Sequence, residues 1–517
     1  MTRKGAVEGQ SVMPKTAPLW LRPSLLLALA SLALHAAANG HYGFFRDELY
    51  FIVCGQHPAW GYVDQPPVVP LLAAWVHAVF GDSVWGFRLI PALVMSATVA
   101  LTAEFARAVG GTRFAQWLAG LCTLFAPFLL LEGVLFFTDL FQPLSWLALV
   151  WIVVRLEQSG DERWWLAFGA VAGASLETKY TIAFFLVALA PGLLATPLRR
   201  SLLRPWVYCG MLIAAVLVLP NVLWQQAHGW PFLELGAAGA NGKNLPMSPL
   251  MYFGQQFLQV GPLAMLVALC GLWAGAVRPT YMAARAVAIA WAILFVVFVL
   301  LHGKPYYLMS IYPALFGFGA PRIERWLANA IARGAALAGV AIAGAVIAPL
   351  TLPILPVDLF MRYEHALGFT PSVGERGETG ALPQYYADMF GWRDMAKAVA
   401  RVYWSLPPDA RARAVFYGNN YGEAAAIDVF GRRLGLPPAI SGHNNYWLWG
   451  PRGHDGSVLI IIGGSTKHYA DLFRGWRVAG RIDTPYAMPY ETHKPIYVLT
   501  AMKTPLAKFW PQAKHYE

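Results

Sequence analysis

Eleven apolar stretches, most of them long enough for a helix to cross a hydrocarbon core, fill residues 1–355 and leave few folds open to the chain. They run over about Leu19–Ala38, Val84–Phe105, Phe114–Leu131, Leu140–Val154, Trp164–Leu176, Tyr180–Ala195, Trp206–Trp224, Met251–Ala276, Arg285–Leu301, Tyr306–Ala320 and Gly334–Leu355. A lone helix needs roughly 20 apolar residues to span, but shorter ones are tolerated inside a bundle, so the fourth, fifth, sixth and tenth are read as short spans. With 57% of its 517 residues apolar or aromatic and only 13% charged, the chain is far from a soluble composition. The fold expected is a mainly α membrane bundle of about eleven helices.

Lys and Arg set the orientation. Arg3, Lys4, Lys15, Arg107, Arg113, Arg155, Arg163, Arg199, Arg200, Arg204, Arg278, Arg322, Arg325 and Arg333 fall in one set of loops; the alternate set holds Arg46, Lys179, Lys243 and Lys304. The positive-inside rule makes the first set, and with it the amino terminus, cytoplasmic. The net charge of +11 then meets anionic membrane lipid, and no basic run calls for nucleic acid as a partner. The first stretch, with Arg3, Lys4 and Lys15 ahead of it and Ala36–Ala38 at its end, also has the form of a cleaved signal peptide, which would leave the later topology unchanged.

An odd number of spans places residues 356–517 outside, where frequent charges and the lack of a span-length apolar run define a separate soluble domain. Val415–Tyr417, Val458–Ile462 and Ile496–Thr500 read as buried strands, and Glu423–Arg433 and His468–Arg474 as helices, a small α/β layer. Gly463–Gly464–Ser465 follows a strand as a phosphate loop does but lacks the Lys-Ser/Thr ending, so a tight turn is expected. Cys54, Cys122, Cys209 and Cys270 are too scattered for a disulfide framework or a zinc site.

Charge beside a membrane is costly and usually functional, which singles out the ionisable residues of the outer loops. Asp47, Glu48 and Asp64 lie in the first (41–83), Asp139 opens the fourth span, Lys179 sits between the fifth and sixth, Lys243 follows the seventh, and His302 and Lys304 separate the ninth from the tenth. Adjacent carboxylates point in different directions, so Asp47 and Glu48 divide into one base and one structural or ligand partner; an ordinary charge pair at a helix N-terminus is the plainer reading. Lys179 equally suits a turn cap or a headgroup anchor, Tyr306, Tyr307 and Tyr312 suit an aromatic belt, and His302 an interfacial histidine. Asp64, Asp139 and Glu48 are groups of the kind that hold a divalent cation, which is left open as a cofactor because their spacing defines no ligand set. In the outer domain, Tyr417–Phe430 and Ser441–Pro451 concentrate Asn, His, Tyr and Trp, fitting either a sugar or a docking surface on the bundle.

The order FFRDELYF, WGYVDQPP, FFTDLF (Phe136–Phe141), LETKYT (Leu176–Thr181) and HGKPYYLMSIYPAL (His302–Leu315) resembles glycosyltransferase family 39, the GT-C class that includes protein O-mannosyltransferases and the lipid A aminoarabinose transferase. The resemblance covers about Leu19–Ala320. It implies an inverting membrane glycosyltransferase of a bacterial cytoplasmic membrane that moves a sugar from a polyprenyl-phosphate donor to a lipid, glycan or protein acceptor at the outer face. Carried over by position, Asp47 is the base, Asp139 the second acidic residue, and Lys304 and Tyr307 contacts to the donor phosphate. Gln65 stands where aminoarabinose-type relatives have a lysine, a phosphate contact for which Lys243 is the candidate substitute.

The chemistry agrees on its own terms. An acceptor hydroxyl needs a carboxylate to take its proton, and the leaving phosphate needs fixed cations such as Lys304, Lys243 or Lys179. One attack opposite the phosphate inverts the anomeric centre without the paired carboxylates of glycoside hydrolases. The alternative, a lipid or sugar transporter or flippase, would place some polar residues at mid-membrane, and these stop at one face.

Overall fold

A computed structural model of the chain describes residues 22–242, 247–277, 279–370, 374 and 377–517. Each apolar stretch folds as helix over its described part, giving a multi-pass membrane bundle. Among the described residues five helices have full span length: Val84–Ala108 (with a slight break after Phe87), Thr138–Ser159, Pro205–Ala227, Met282–Leu300 and Ala330–Thr351; Pro23–Ala38 and Trp164–Leu176 are shorter. Close approach depends on small residues: a Cβ on Gly169 would lie 2.0 Å from the Gly210 carbonyl oxygen, so Trp164–Leu176 and Pro205–Ala227 meet backbone to backbone.

The eighth stretch departs from expectation. It is two helices, Pro249–Val260 and Pro262–Val277, bent by 114°. Gly261 at φ +86° and the missing N–H of Pro262 break the ladder there, although apolar residues run through the break. The third is likewise split at Ala126–Pro127, and the tenth starts as a 3-10 turn, Pro305–Ile311, ahead of Tyr312–Trp326.

The two ends of the bundle differ in character. At one, Glu324 accepts from the Thr112 backbone and hydroxyl, Glu157 accepts the N–H groups of Met282 and Ala283 at 2.8 and 3.0 Å, and Arg204 pairs with Glu162. The other carries two extra helices, α1 (Arg46–Gln56) and α2 (Val68–Phe80), and the C-terminal domain above them. The exposed Leu71, Trp75, Val79 and Phe80 of α2 fit a helix lying along the membrane face.

The C-terminal domain is built on a five-stranded sheet of order β2-β1-β3-β5-β4, formed by β1 (Ala414–Gly418), β2 (Ile440–Ser441), β3 (Val458–Ile462), β4 (Phe473–Ile482) and β5 (Lys494–Met502). β1 is parallel to β2 and β3, whereas β5 runs antiparallel to β3 and β4. One face packs Phe416, Ile460 and Val498 under α3 (Trp392–Trp404) and α4 (Tyr421–Phe430), in a core shared with Phe44, Leu49, Tyr50 and Val53 of the first outer loop. The opposite face buries Val415, Leu459 and Tyr497 against Tyr469 and Trp510. The expected helix His468–Arg474 is Thr466–Leu472, and Arg474 lies in β4, whose mixed face hid it from pattern reading. Gly463 and Gly464, at φ +64° and +90°, form a tight turn.

Candidate active site

The first turn of α1 separates the adjacent carboxylates. Glu48 is fully buried: it accepts the Phe45 N–H at 2.7 Å, both Arg88 guanidinium contacts at 2.9 and 3.0 Å, and the Phe136 N–H at 3.1 Å. Arg88 also donates to the Gly43 carbonyl at 2.8 Å, tying the loop to the Val84–Ala108 span. Glu48 is therefore a bracing residue, its carboxylate taken up by donors, and it does not line the cavity onto which Asp47 opens. Asp47, one position earlier, projects the other way and stays 28% exposed.

Asp47 opens onto a cavity of about 430 Å³ between bundle and C-terminal domain. Its bundle wall is mostly apolar: Pro127, Phe128, Leu131, Leu135, Phe137 and Leu258, with Thr351. Its polar part comprises Arg46, Asp47, Gln259, Lys304 and Tyr306 from the membrane half, and Gln384, Tyr385 and Asp388 from the C-terminal half. Lys304 is held by its backbone: the Tyr252 hydroxyl donates to the Lys304 carbonyl at 3.3 Å and the Gln256 amide to the Pro305 carbonyl at 3.0 Å, with Tyr312 donating to Gln256 at 3.1 Å. Its ammonium lies 5.8 Å from the Tyr306 ring, which stacks on Phe128.

Asp139 and Lys179 form an ion pair beside this wall, with the Lys179 ammonium 5.9 Å from the Tyr306 ring and 5.4 Å from that of Tyr307. Tyr306 thus sits between two lysines and lines the cavity, while Tyr307 packs on Phe298 and is not among the lining residues. The phase of the 3-10 turn decides this, and the motif could not. His302 is exposed at φ +52° in the turn before Lys304. Lys243 lies outside the described residues.

Asp64 belongs to the domain interface. Asp64 accepts from the Tyr50 hydroxyl at 3.1 Å and from Asn444 and Asn445 at 3.4 and 3.2 Å, and Asn445 also bonds Tyr50 and accepts the Val63 N–H at 3.0 Å. The Asn-rich stretch is in this way a docking surface on the first outer loop. Gln65 is buried. Glu48, Asp64 and Asp139 each have separate partners and form no common ligand set. Among the described residues only His443, His515 and Glu517 bring three ligand atoms within 4.8 Å, and His443 Nδ1 accepts the Tyr421 N–H at 3.1 Å, which in the neutral ring leaves the proton on Nε2.

Burial pushes the Asp64 carboxyl up from 3.8 to about 6, against hydrogen bonds from Tyr50 and Asn444 that favour its charged form. The folded protein therefore keeps this proton where the unfolded chain has lost it, so its stabilising contribution is complete below pH 3.8 and falls as pH rises to about 6. Asp64→Asn should remove that fall. The melting temperature of the variant minus that of the wild type should climb across this interval and level off above it; a flat difference would show that Asp64 does not hold its proton there.

The sequence marks Arg46 only as an outer-loop charge and Tyr306 only as a belt aromatic, and it does not mark Arg88, Gln384, Tyr385 or Asp388. Arg46 sits inside the quoted FFRDELYF and Tyr306 inside HGKPYYLMSIYPAL, so both were legible there, whereas nothing local marks Gln384–Asp388.

Residues 64–224 match the family model described as dolichyl-phosphate-mannose-protein mannosyltransferase. Among solved structures, ArnT from Cupriavidus metallidurans bound to undecaprenyl phosphate superposes with a TM-score of 0.61 at 15% identity, over 92% of this chain and 97% of that one. Its apo state gives 0.60 at 15%, over 93% and 97%. The arabinofuranosyltransferase AftD from Mycobacteria gives 0.51 at 13%, over 92% of this chain and 40% of that one. No curated protein sequence matches the chain. The fold is that of the GT-C membrane glycosyltransferases, in the bundle-plus-C-terminal-domain form of ArnT.

Proposed function

We propose that the protein is an inverting glycosyltransferase that takes a sugar from a polyprenyl-phosphate donor and passes it to an acceptor hydroxyl at the outer face of a bacterial cytoplasmic membrane. The observation that carries this is one cavity holding a partly exposed carboxylate, Asp47, and a cation, Lys304, against a wall of apolar bundle residues. The isoprenoid chain follows Phe128, Leu131 and Leu258, and its phosphate meets Lys304 beside Tyr306. The acceptor hydroxyl gives its proton to Asp47 while its oxygen attacks the anomeric carbon. The bond from that carbon to the phosphate oxygen breaks, and the carrier phosphate leaves with the added negative charge, which Lys304 stabilises more in the transition state than in the ground state. The Asp139–Lys179 pair lies behind Tyr306 and fixes the charge of that wall. The match to the mannosyltransferase family model and the undecaprenyl phosphate bound to ArnT support the donor class.

The test is purified protein offered a panel of undecaprenyl- and decaprenyl-phosphate sugars, with free carrier phosphate measured after addition of lipid, glycan and peptide acceptors. Release with one donor and inversion at the anomeric carbon are expected; transfer with retention, or no release across the panel, overturns the proposal. The orientation is tested in intact cells with a cysteine-free background. Lys467→Cys, at an exposed position of the C-terminal domain, should react with an impermeant thiol reagent, and Arg200→Cys, at the arginine-rich end, only after permeabilisation.

A further inference from the structure

A side chain bonded to the reactive end of Asp47 comes from the C-terminal domain. The Tyr421 hydroxyl, at the start of α4, donates to Asp47 Oδ1 at 2.7 Å across 374 positions of sequence. Its ring is held by two neighbours: it stacks on Tyr50 of α1 with centroids 4.5 Å apart, and the Arg46 guanidinium lies 5.4 Å from its centroid. Arg46 is itself clamped from the same domain, its N–H donating to the Asp388 carbonyl at 3.1 Å and its guanidinium 3.7 Å from the Asp388 carboxylate. Gly422 leaves room for this contact, because a Cβ there would stand 2.5 Å from Arg46 Cγ.

From this geometry we infer that Tyr421 is a positioning residue for transfer, and that the C-terminal domain completes the catalytic centre by fixing the rotamer of Asp47. The inference rests on Asp47 being the base. A carboxylate on a short side chain turns about two bonds, and a proton acceptor is effective only when a lone pair is aligned with the attacking hydroxyl. With Oδ1 engaged by Tyr421, Oδ2 is the oxygen presented to the acceptor. The phenol stays a donor throughout and does not receive the acceptor's proton.

Tyr421→Phe keeps the stacked ring and deletes the donor. It should lower single-turnover transfer about tenfold, the size expected for one hydrogen bond to a charged group, while undecaprenyl phosphate binds within about twofold of wild type. In an Asp47→Asn background the same change should cost less than about twofold, since an orienting contact has nothing further to orient. Asn445→Ala is the docking control: it loosens the same interface without touching Asp47 and should lower melting temperature while turnover per folded molecule stays within about twofold. Equal losses from Tyr421→Phe in both backgrounds, no loss in the wild-type background, or Asn445→Ala reproducing its kinetics would each overturn the inference. Undiminished turnover in Asp47→Asn alone would instead overturn the assignment of the base on which it rests.

Discussion

Asp47→Asn should reduce single-turnover sugar transfer by about 10³-fold, within the range by which a positioned base accelerates a reaction, with little change in carrier binding or melting temperature. The amide keeps the size of the carboxylate and an oxygen to accept from Tyr421, so the loss is that of proton acceptance and not of packing. Glu48→Gln should behave in the opposite way. It leaves the Arg88 guanidinium buried beside a neutral amide and should cost on the order of 3 kcal/mol of stability, with turnover per folded molecule far less affected. Near wild-type turnover in Asp47→Asn with saturating donor would remove the base from this position. Asp139, held in an ion pair by Lys179 near Tyr306, would then be tested next.

Lys304→Ala is expected to weaken undecaprenyl phosphate binding and to slow transfer as well, lowering kcat/KM by about 10²-fold. The turn that presents Lys304 is fixed through its backbone by Tyr252 and Gln256, so truncating the side chain should leave the turn standing. Both effects are expected because charge on the phosphate grows as the glycosidic bond breaks, making the ammonium more valuable in the transition state than in the bound donor. Lys304→Arg should restore part of each, incompletely, since a planar guanidinium replaces a compact point charge. A headgroup anchor at this position would instead give a small stability loss with normal binding and rate per folded molecule. Normal values for both quantities in Lys304→Ala would end the phosphate assignment.

Hydrophobicity is a local property of sequence, and what depends on it was legible there. The positions of the apolar helices, the change of composition after residue 355 and the strands at Val415–Tyr417 and Val458–Ile462 follow from runs that must leave water. The motifs also brought Asp47 and Lys304 to notice, and the structure places both on one cavity. The Gly261–Pro262 break was visible as well, but the apolar run passes through it, and hydropathy is blind to a bend.

Tertiary structure decided everything that depends on which residues meet. Sequence spacing says that Asp47 and Glu48 diverge; only the position of Arg88, 40 residues on, shows that Glu48 is the buried partner and Asp47 the exposed one. Spacing cannot choose between Tyr306 and Tyr307, because the choice rests on the phase of a 3-10 turn set by Tyr252, Gln256 and Phe298. Nor does any local signal say that Tyr421 meets Asp47 or that Asp388 meets Arg46. These contacts exist because α4, which covers one face of the sheet, buries its other side against α1, so the residues at the rim of that contact close over Asp47.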